Sequence, residues 1–248
     1  MSDSPGIPDA LINALRDARH VFVLTGAGTS AESGVPTFRD AQSGLWEKYD
    51  PLDLATPEAF LRDPELVWNW YRWRRELVAK AEPNAGHIAL TLLATLVPRL
   101  TLVTQNVDGL HQQAGSSDVI EFHGNLFTDL CFVEGCAVEC DTDTAVPACP
   151  GCGGHVRPGV VWFGEAIPEQ ALNQSFAAAA DCDVFLSIGT SSLVYPAAGL
   201  AEIAKNTGAI VAEVNPDPTG MAAGFDHVIA GKSGAVLPNL ARRLSRSG

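Results

Sequence analysis

Apolar positions along this chain alternate between two periods. From 7 to 19 the residues Ile7, Leu11, Ala14 and Ala18 recur at helical spacing and share one stripe. Residues 20–25, His-Val-Phe-Val-Leu-Thr, then run without polar alternation and stop at Gly26, the pattern of a strand buried on both faces. Similar short runs at 100–104, 119–122, 160–162, 184–188, 210–214 and 227–229 predict further strands. Helical stretches at 85–96, 169–180 and 196–205 separate several of them, and 235–244 closes the chain. A strand that returns parallel to its predecessor must cross a sheet face, and the crossing helix covers it. The alternation therefore predicts an α/β fold, a doubly wound parallel sheet with helices on both faces.

Two segments break the alternation. Residues 41–80 carry helical and loop signals without a convincing strand, and 126–157 carry clustered cysteines with Gly and Pro around the second pair. The expected division is a sheet domain of 1–40, 81–125 and 158–248, with a smaller inserted domain of 41–80 (helical) and 126–157 (cysteine module). No repeat of 20–50 residues is present, and the one low-complexity tract, alanines 177–180, suits a helix.

Composition narrows the function. Of 248 residues, 46% are hydrophobic and 18% charged, which excludes disordered and collagen-like classes. Lys and Arg total 16 against 29 Asp and Glu, a net charge of −13. Such a surface repels phosphate backbones, so no direct nucleic-acid binding is expected, while basic polypeptides are tolerated as partners. No apolar run approaches the roughly 20 residues of a membrane span. The opening Met1-Ser2-Asp3-Ser4-Pro5-Gly6 lacks the basic and apolar regions of a signal peptide, and a cytoplasmic location is expected.

Five groups of residues carry candidate chemistry. Thr25-Gly26-Ala27-Gly28-Thr29-Ser30-Ala31-Glu32-Ser33-Gly34 follows the first strand, where a doubly wound fold places its phosphate loop; a tight turn is the alternative. No acidic residue ends the next strand, where a dehydrogenase would grip the ribose, and this argues against simple hydride transfer. Thr104-Gln105-Asn106-Val107-Asp108-Gly109 ends another strand; Asn and Asp there read an amide and a hydroxyl, or form an Asx turn. His123, in Phe122-His123-Gly124-Asn125, is suited to accept a proton near neutrality, or else makes a structural hydrogen bond.

Cys131-x4-Cys136 and Cys149-x2-Cys152 match a tetrahedral four-thiolate zinc site, closed to water and therefore structural; free buried thiols are the alternative, and Cys140 is an alternative to Cys136. Within Val67-Trp68-Asn69-Trp70-Tyr71-Arg72-Trp73-Arg74-Arg75, Tyr71 and Arg74 share a helix face with Val67 and Val78. A hydroxyl and a guanidinium aimed into an apolar pocket bind a carboxylate; a structural ion pair of Arg74 is the alternative.

Taken in order, these motifs resemble the sirtuin family of NAD-dependent protein-lysine deacylases. The matching pieces are Gly26-Ala27-Gly28-Thr29-Ser30-Ala31-Glu32-Ser33-Gly34-Val35-Pro36-Thr37-Phe38-Arg39, Thr104 to Asp108, His123-Gly124-Asn125 and the four cysteines. Val160-Val161-Trp162-Phe163-Gly164-Glu165, Gly189-Thr190-Ser191 and Asn215-Pro216 complete the set.

The resemblance implies a Rossmann-type domain and a small zinc-bearing domain, with NAD and an acyl-lysine peptide meeting between them. NAD is then a consumed cosubstrate: the acyl oxygen attacks C1′ of the nicotinamide ribose and nicotinamide leaves. By the same resemblance His123 is the base acting on a ribose hydroxyl. Gly26, Ala27, Gly28, Ser30, Ala31, Glu32, Phe38 and Arg39 belong to the cofactor loop. Gln105, Asn106, Val107 and Asp108 meet the nicotinamide and ribose end, while Gly189, Thr190, Ser191 and Asn215 hold the adenosine half and Ser233 approaches the adenine.

Val161, Phe163, Gly164 and Glu165 are implied to pair with the substrate backbone as an added strand. Tyr71-x-x-Arg74 looks like the signature of the subgroup that removes succinyl and malonyl groups, and Ala55, in Leu54-Ala55-Thr56-Pro57, matches that subgroup's small residue. One departure is the four-residue gap between Cys131 and Cys136, where two is common. A mono-ADP-ribosyltransferase, a plain deacetylase and a non-catalytic sensor are the rival functions.

Overall fold

The computed structural model describes residues 6–36, 49–141, 145–220 and 224–246. In chain order its strands are β1 (Val21–Thr25), β2 (Leu100–Thr104), β3 (Ile120–Glu121), β4 (Gly124–Cys131), β5 (Val156–Val160), β6 (Val184–Ile188), β7 (Ile210–Asn215) and β8 (His227–Ala230). The helices are α1 (Asp9–Asp17), α2 (Ala27–Ser30), α3 (Pro51–Leu54), α4 (Pro57–Arg62), α5 (Pro64–Val78), α6 (Ala85–Leu96), α7 (Leu110–Gln113), α8 (Glu169–Asp181), α9 (Leu200–Asn206) and α10 (Ser233–Ser245).

Six strands form one parallel sheet in the order β3-β2-β1-β6-β7-β8. The chain winds outward from β1 to β3, returns beside β1 as β6, and winds outward the other way. That reversal opens a crevice beyond the carboxyl ends of β1 and β6, where open α/β sheets bind ligands.

Helices cover both faces, which is why β1 has no polar alternation. Val21 and Val23 face one core with Leu11, Leu90, Leu186 and Leu240 from α1, α6, β6 and α10. Phe22 and Leu24 face the other with Phe185, Ala178 and Leu200 from β6, α8 and α9. Phe22 stacks on Phe185 with ring centroids 4.8 Å apart.

The expected strand at 160–162 is not in this sheet. Residues 156–160 pair antiparallel with β4 in a separate two-stranded sheet, and 161–165 continue as an extended segment and turn. Pro158 explains the difference: it has no N–H to give, so an interior position in the parallel sheet is closed to it. β4 was not expected, because Asn125, Thr128 and Asp129 interrupt its apolar pattern. The expected helix at 196–205 is divided into a 3₁₀ turn, Ala197–Gly199, followed by α9.

A third core lies at the carboxyl end of the sheet. Phe60, Val67, Trp70 and Tyr71 from α4 and α5 pack there with Leu126, Val160 and Trp162. The phase of α5 is set at its start, where Asp63 accepts from the Leu66 N–H at 3.0 Å and Pro64 occupies the first turn. Arg75 then ties the helix to β4, donating to the Leu126 carbonyl at 2.6 Å and to Asp129 at 2.7 Å. With α5 held at its start and at Arg75, Tyr71 packs beside Trp162 and Arg74 lies over the Trp70 and Tyr71 rings.

Candidate functional site

A cleft of about 1300 Å³ opens at the crevice between β1 and β6 and runs to the third core. Its floor is two loops in mutual contact. The Gly26 N–H donates to the Ile188 carbonyl at 3.0 Å, and the Gly28 N–H to the Gly189 carbonyl at 2.8 Å. A Cβ on Gly28 would sit 2.8 Å from that carbonyl oxygen, and one on Gly189 would sit 2.4 Å from the Thr29 nitrogen. Both glycines therefore serve loop-on-loop packing, a role that the spacing of the first loop alone does not reveal. Thr190 joins the floor to its neighbours: its hydroxyl accepts from Gln105 Nε2 at 3.2 Å, and its carbonyl accepts from Asn215 Nδ2 at 2.9 Å.

The ends of β2 and β3 supply the polar groups. Asn106 Nδ2 donates to the Gly26 carbonyl at 3.1 Å and to Ser30 Oγ at 3.0 Å. Its amide hydrogens are spent inside the protein, so its oxygen is the group offered to a ligand. Asp108 is buried and accepts from the Leu110 N–H at 3.0 Å, so it forms the Asx turn that starts α7 and also lines the cleft.

His123 Nδ1 lies 3.1 Å from the Gln105 carbonyl. Only a protonated Nδ1 makes that bond, so Nε2 carries the lone pair. Burial lowers the imidazole pKa below its ordinary value, with the Gln105 bond opposing, and the ring is a neutral proton acceptor.

At the other end of the cleft, Tyr71 Oη accepts from Trp162 Nε1 at 2.9 Å. The Arg74 guanidinium carbon lies 5.1 Å from the Trp70 ring centroid and 5.7 Å from that of Tyr71. Burial lowers the Arg74 pKa, opposed by Tyr71 and Asp108, and burial pushes the Tyr71 phenol up to about 12. A desolvated guanidinium beside a hydroxyl that stays protonated suits an incoming anion.

Ala55 accepts from the Phe163 N–H at 2.9 Å, and Val161 N–H donates to the His123 carbonyl at 2.9 Å. Trp162 N–H donates to Glu165 and Glu165 N–H to the Trp162 carbonyl. An added peptide strand at 161–165 is thus left the Gly164 N–H and the outward carbonyls.

The cysteines gather beside Trp68, apart from the cleft. Cys131, Cys136 and Cys149 bring their sulfurs within 4.8 Å of one another, and Cys152 Sγ is 3.4 Å from Cys131 Sγ. Each pair closes a tight turn, with the Glu134 N–H 3.3 Å from Cys131 Sγ and the Gly154 N–H 3.4 Å from Cys152 Sγ. Four sulfurs converging in turns that aim N–H groups at thiolates fit a structural zinc ion, which these four residues would hold. Cys140 lies instead beside Asp129, so Cys136 rather than Cys140 completes the set.

One cleft therefore gathers Gly26, Ala27, Gly28, Ser30, Gln105, Asn106, Val107, Asp108, His123, Gly189, Thr190, Ser191 and Asn215. Ala55, Tyr71, Arg74, Val161, Phe163, Gly164 and Glu165 line it as well. Ala31, Glu32 and Ser233 stand outside its lining. Glu32 accepts from the Gly234 N–H at 2.8 Å and from the Ser233 hydroxyl at 3.4 Å, capping α10. Phe38 and Arg39 fall outside the described residues.

Sequence reasoning missed Trp162 as a polar partner, although it stood in the 160–165 motif. It also missed Leu193 and Tyr195, whose exposure at the rim marks them only once the fold is known. His87, 3.4 Å behind Ser30, carries no sequence signal that separates it from any buried histidine.

The fold and cleft define a doubly wound α/β protein with a ligand cleft at the sheet's switch point, a neutral histidine in that cleft and a cysteine cluster apart from it. Residues 26–196 match the Sir2 family, and the chain belongs to that family. It is 50% identical over 244 residues to a protein of Pseudomonas aeruginosa named NAD-dependent protein deacylase 1, covering 94% of this chain and 98% of that one. A Methylococcus capsulatus NAD-dependent protein deacylase is 49% identical, covering 96% and 98%. Among solved structures, a Sir2 homologue in complex with NAD superposes with a TM-score of 0.92 at 40% identity, covering 100% of this chain and 97% of that one. A Sir2 homologue variant bound to 2′-O-acetyl ADP ribose has a TM-score of 0.90 at 41% identity, covering 97% and 98%.

Proposed function

We propose that this chain is an NAD-dependent protein-lysine deacylase that removes succinyl and malonyl groups faster than acetyl groups. Family membership and relatives named as protein deacylases support the coarser half of that reading. The neighbours bound to NAD and to 2′-O-acetyl ADP ribose support NAD as the consumed substrate, with nicotinamide and O-acyl-ADP-ribose as products. The finer half is carried by one observation: Tyr71 and Arg74 line the same cleft as His123.

In the proposed reaction the acyl-lysine enters the cleft along 161–165, with Ala55 in its wall, and its carbonyl oxygen attacks C1′ of the nicotinamide ribose as nicotinamide leaves. Asn106 offers its side-chain oxygen to the carboxamide, and the 189–191 loop with Asn215 takes the adenosine half. His123 Nε2 accepts the proton of a ribose hydroxyl as that oxygen attacks the acyl carbon. A succinyl carboxylate carried into this apolar pocket loses its water and meets Arg74 and the Tyr71 hydroxyl instead. The zinc site holds the lobe together and takes no part in the chemistry. Residues 41–80 and 126–157 serve as the small domain, whose helical part bounds the cleft through Ala55, Tyr71, Arg74 and Val78.

Arg74→Met tests the acyl preference. Loss of a charge-assisted pair, about 2–4 kcal/mol, lowers desuccinylation kcat/KM by roughly 30- to 1000-fold. Deacetylation on the matched peptide stays similar or rises, because acetyl has no carboxylate to lose. An equal fall in both would make Arg74 a structural residue and the chain a plain deacetylase. Mono-ADP-ribosylated protein without O-acyl-ADP-ribose would replace deacylation with ADP-ribosyl transfer.

A further inference from the structure

Tyr71 carries a hydroxyl with one proton and two lone pairs, and which of them faces the acyl group decides what the pocket binds. Trp162 Nε1–H can only donate, and it donates to Tyr71 Oη at 2.9 Å. Arg74 can only donate as well, and its guanidinium carbon stands 5.7 Å from the Tyr71 ring centroid. With its oxygen accepting from Trp162 and the Arg74 cation beside its ring, the Tyr71 proton is left for another partner, and the residue lines the cleft.

The indole is itself fixed. The Arg157 guanidinium lies 3.4 Å from the Trp162 ring centroid, and both its terminal nitrogens engage the Glu165 carboxylate, one of them at 2.9 Å. Glu165 Oε2 accepts the Trp162 backbone N–H at 2.8 Å, and Arg157 also donates to the Val160 carbonyl at 2.8 Å. Backbone and ring of Trp162 are thus held by one half-buried ion pair whose arginine stands on β5.

We infer that Trp162, clamped by the Arg157–Glu165 pair, is a positioning residue that turns the Tyr71 hydroxyl into an obligate donor and so selects acyl chains ending in an acceptor such as a carboxylate. The inference rests on the carboxylate reading of Tyr71 and Arg74 and adds the residue that sets its polarity. The raised Tyr71 pKa, about 12, agrees with it, because the donor proton is kept at every working pH. A phenylalanine at 162 would keep an aromatic ring against Arg157 but leave the Tyr71 oxygen one donor short. The hydroxyl then rotates, and part of its population points its proton away from the substrate.

The test is a double-mutant cycle of Trp162→Phe and Tyr71→Phe, read as kcat/KM on matched succinyl and acetyl peptides with melting temperatures recorded alongside. Trp162→Phe is expected to lower desuccinylation about 3- to 10-fold, the scale of one hydrogen bond, with deacetylation unchanged within about twofold. In a Tyr71→Phe background the same substitution should change nothing further, because the hydroxyl it orients is gone. Equal losses on both peptides, or additive effects in the cycle, would overturn the inference and make Trp162 a packing residue only. Arg74→Met in the same series separates the two levels. If it removes desuccinylation selectively while Trp162→Phe does not, the carboxylate pocket stands and the positioning role falls. If Arg74→Met lowers both activities equally, the pocket falls and the positioning role with it. Should Trp162→Phe fold poorly, Arg157→Lys, which keeps the charge but loses the planar fork, is expected to give the same selective loss.

Discussion

Gly189→Ala isolates what the two loops at the switch point do for each other. Gly189 has φ +60°, and an added Cβ would stand 2.4 Å from the Thr29 nitrogen, 2.7 Å from the Gly28 carbonyl carbon and 3.0 Å from its Cα. All three are backbone atoms, so no side chain can rotate away. Restoring ordinary van der Waals separation needs a movement of about 1 Å. That movement stretches the Gly28 N–H bond to the Gly189 carbonyl, now 2.8 Å, and the Thr29 hydroxyl bond to the Ile188 carbonyl, now 3.1 Å. Left-handed backbone costs an L-residue about 1–2 kcal/mol, and overpacking adds about 1–3 kcal/mol.

We therefore expect Gly189→Ala to lose about 2–5 kcal/mol of stability in denaturant unfolding. We also expect kcat/KM for NAD to fall by roughly 100-fold, because the displaced loops position the ligand. Gly34→Ala is the control: its φ is +78°, yet nothing lies within 4 Å of its Cβ, so only the backbone strain remains. If Gly189→Ala is no less stable than Gly34→Ala and uses NAD normally, the loop contact is incidental and the argument fails.

The other two substitutions probe the proton acceptor and the metal. His123→Ala is expected to keep NAD binding, measured calorimetrically, while turnover falls by roughly 100-fold or more; near-normal turnover would place the base elsewhere. Because burial depresses the His123 pKa below 6.5, wild-type kcat/KM should be flat above pH 6.5 and decline only as pH falls through that lower value; an acid limb above 6.5 would contradict the neutral ring. Cys149→Ser should lower bound zinc and reduce Tm by roughly 5–10 °C together; a variant without zinc that melts normally would remove the structural role.

Legibility in this chain follows burial. β1, β2, β6 and β7 were readable because strands covered on both faces are written mostly in apolar residues, and helices between them imply parallel winding. β4 was not, since Asn125, Thr128 and Asp129 interrupt its apolar pattern. Of the run at 160–162 only Val160 is paired, and it pairs antiparallel with β4 in a separate sheet.

The site divides along the same line. Residues that present their own chemistry at a strand end, such as His123 and Asn106, are visible one at a time, because the carboxyl end of a parallel strand is where ligands sit. Residues whose role is set by a partner far along the chain are not. Gly28 looks like a phosphate contact until Gly189, from the neighbouring loop, fills the space in front of it. Asp108 looked like either an Asx turn or a ligand contact, and in the fold it is the first while lining the cleft of the second. Trp162 is one of five tryptophans, and nothing in its spacing says that its indole N–H meets the Tyr71 oxygen 91 residues away. Tyr71 and Arg74 were legible as a pair because three residues on a helix suffice to put them together. What the pair accepts is set by a third side chain that only tertiary structure supplies, so substitutions at Trp162 and Arg157 should shift acyl selectivity without touching the motif that announces it.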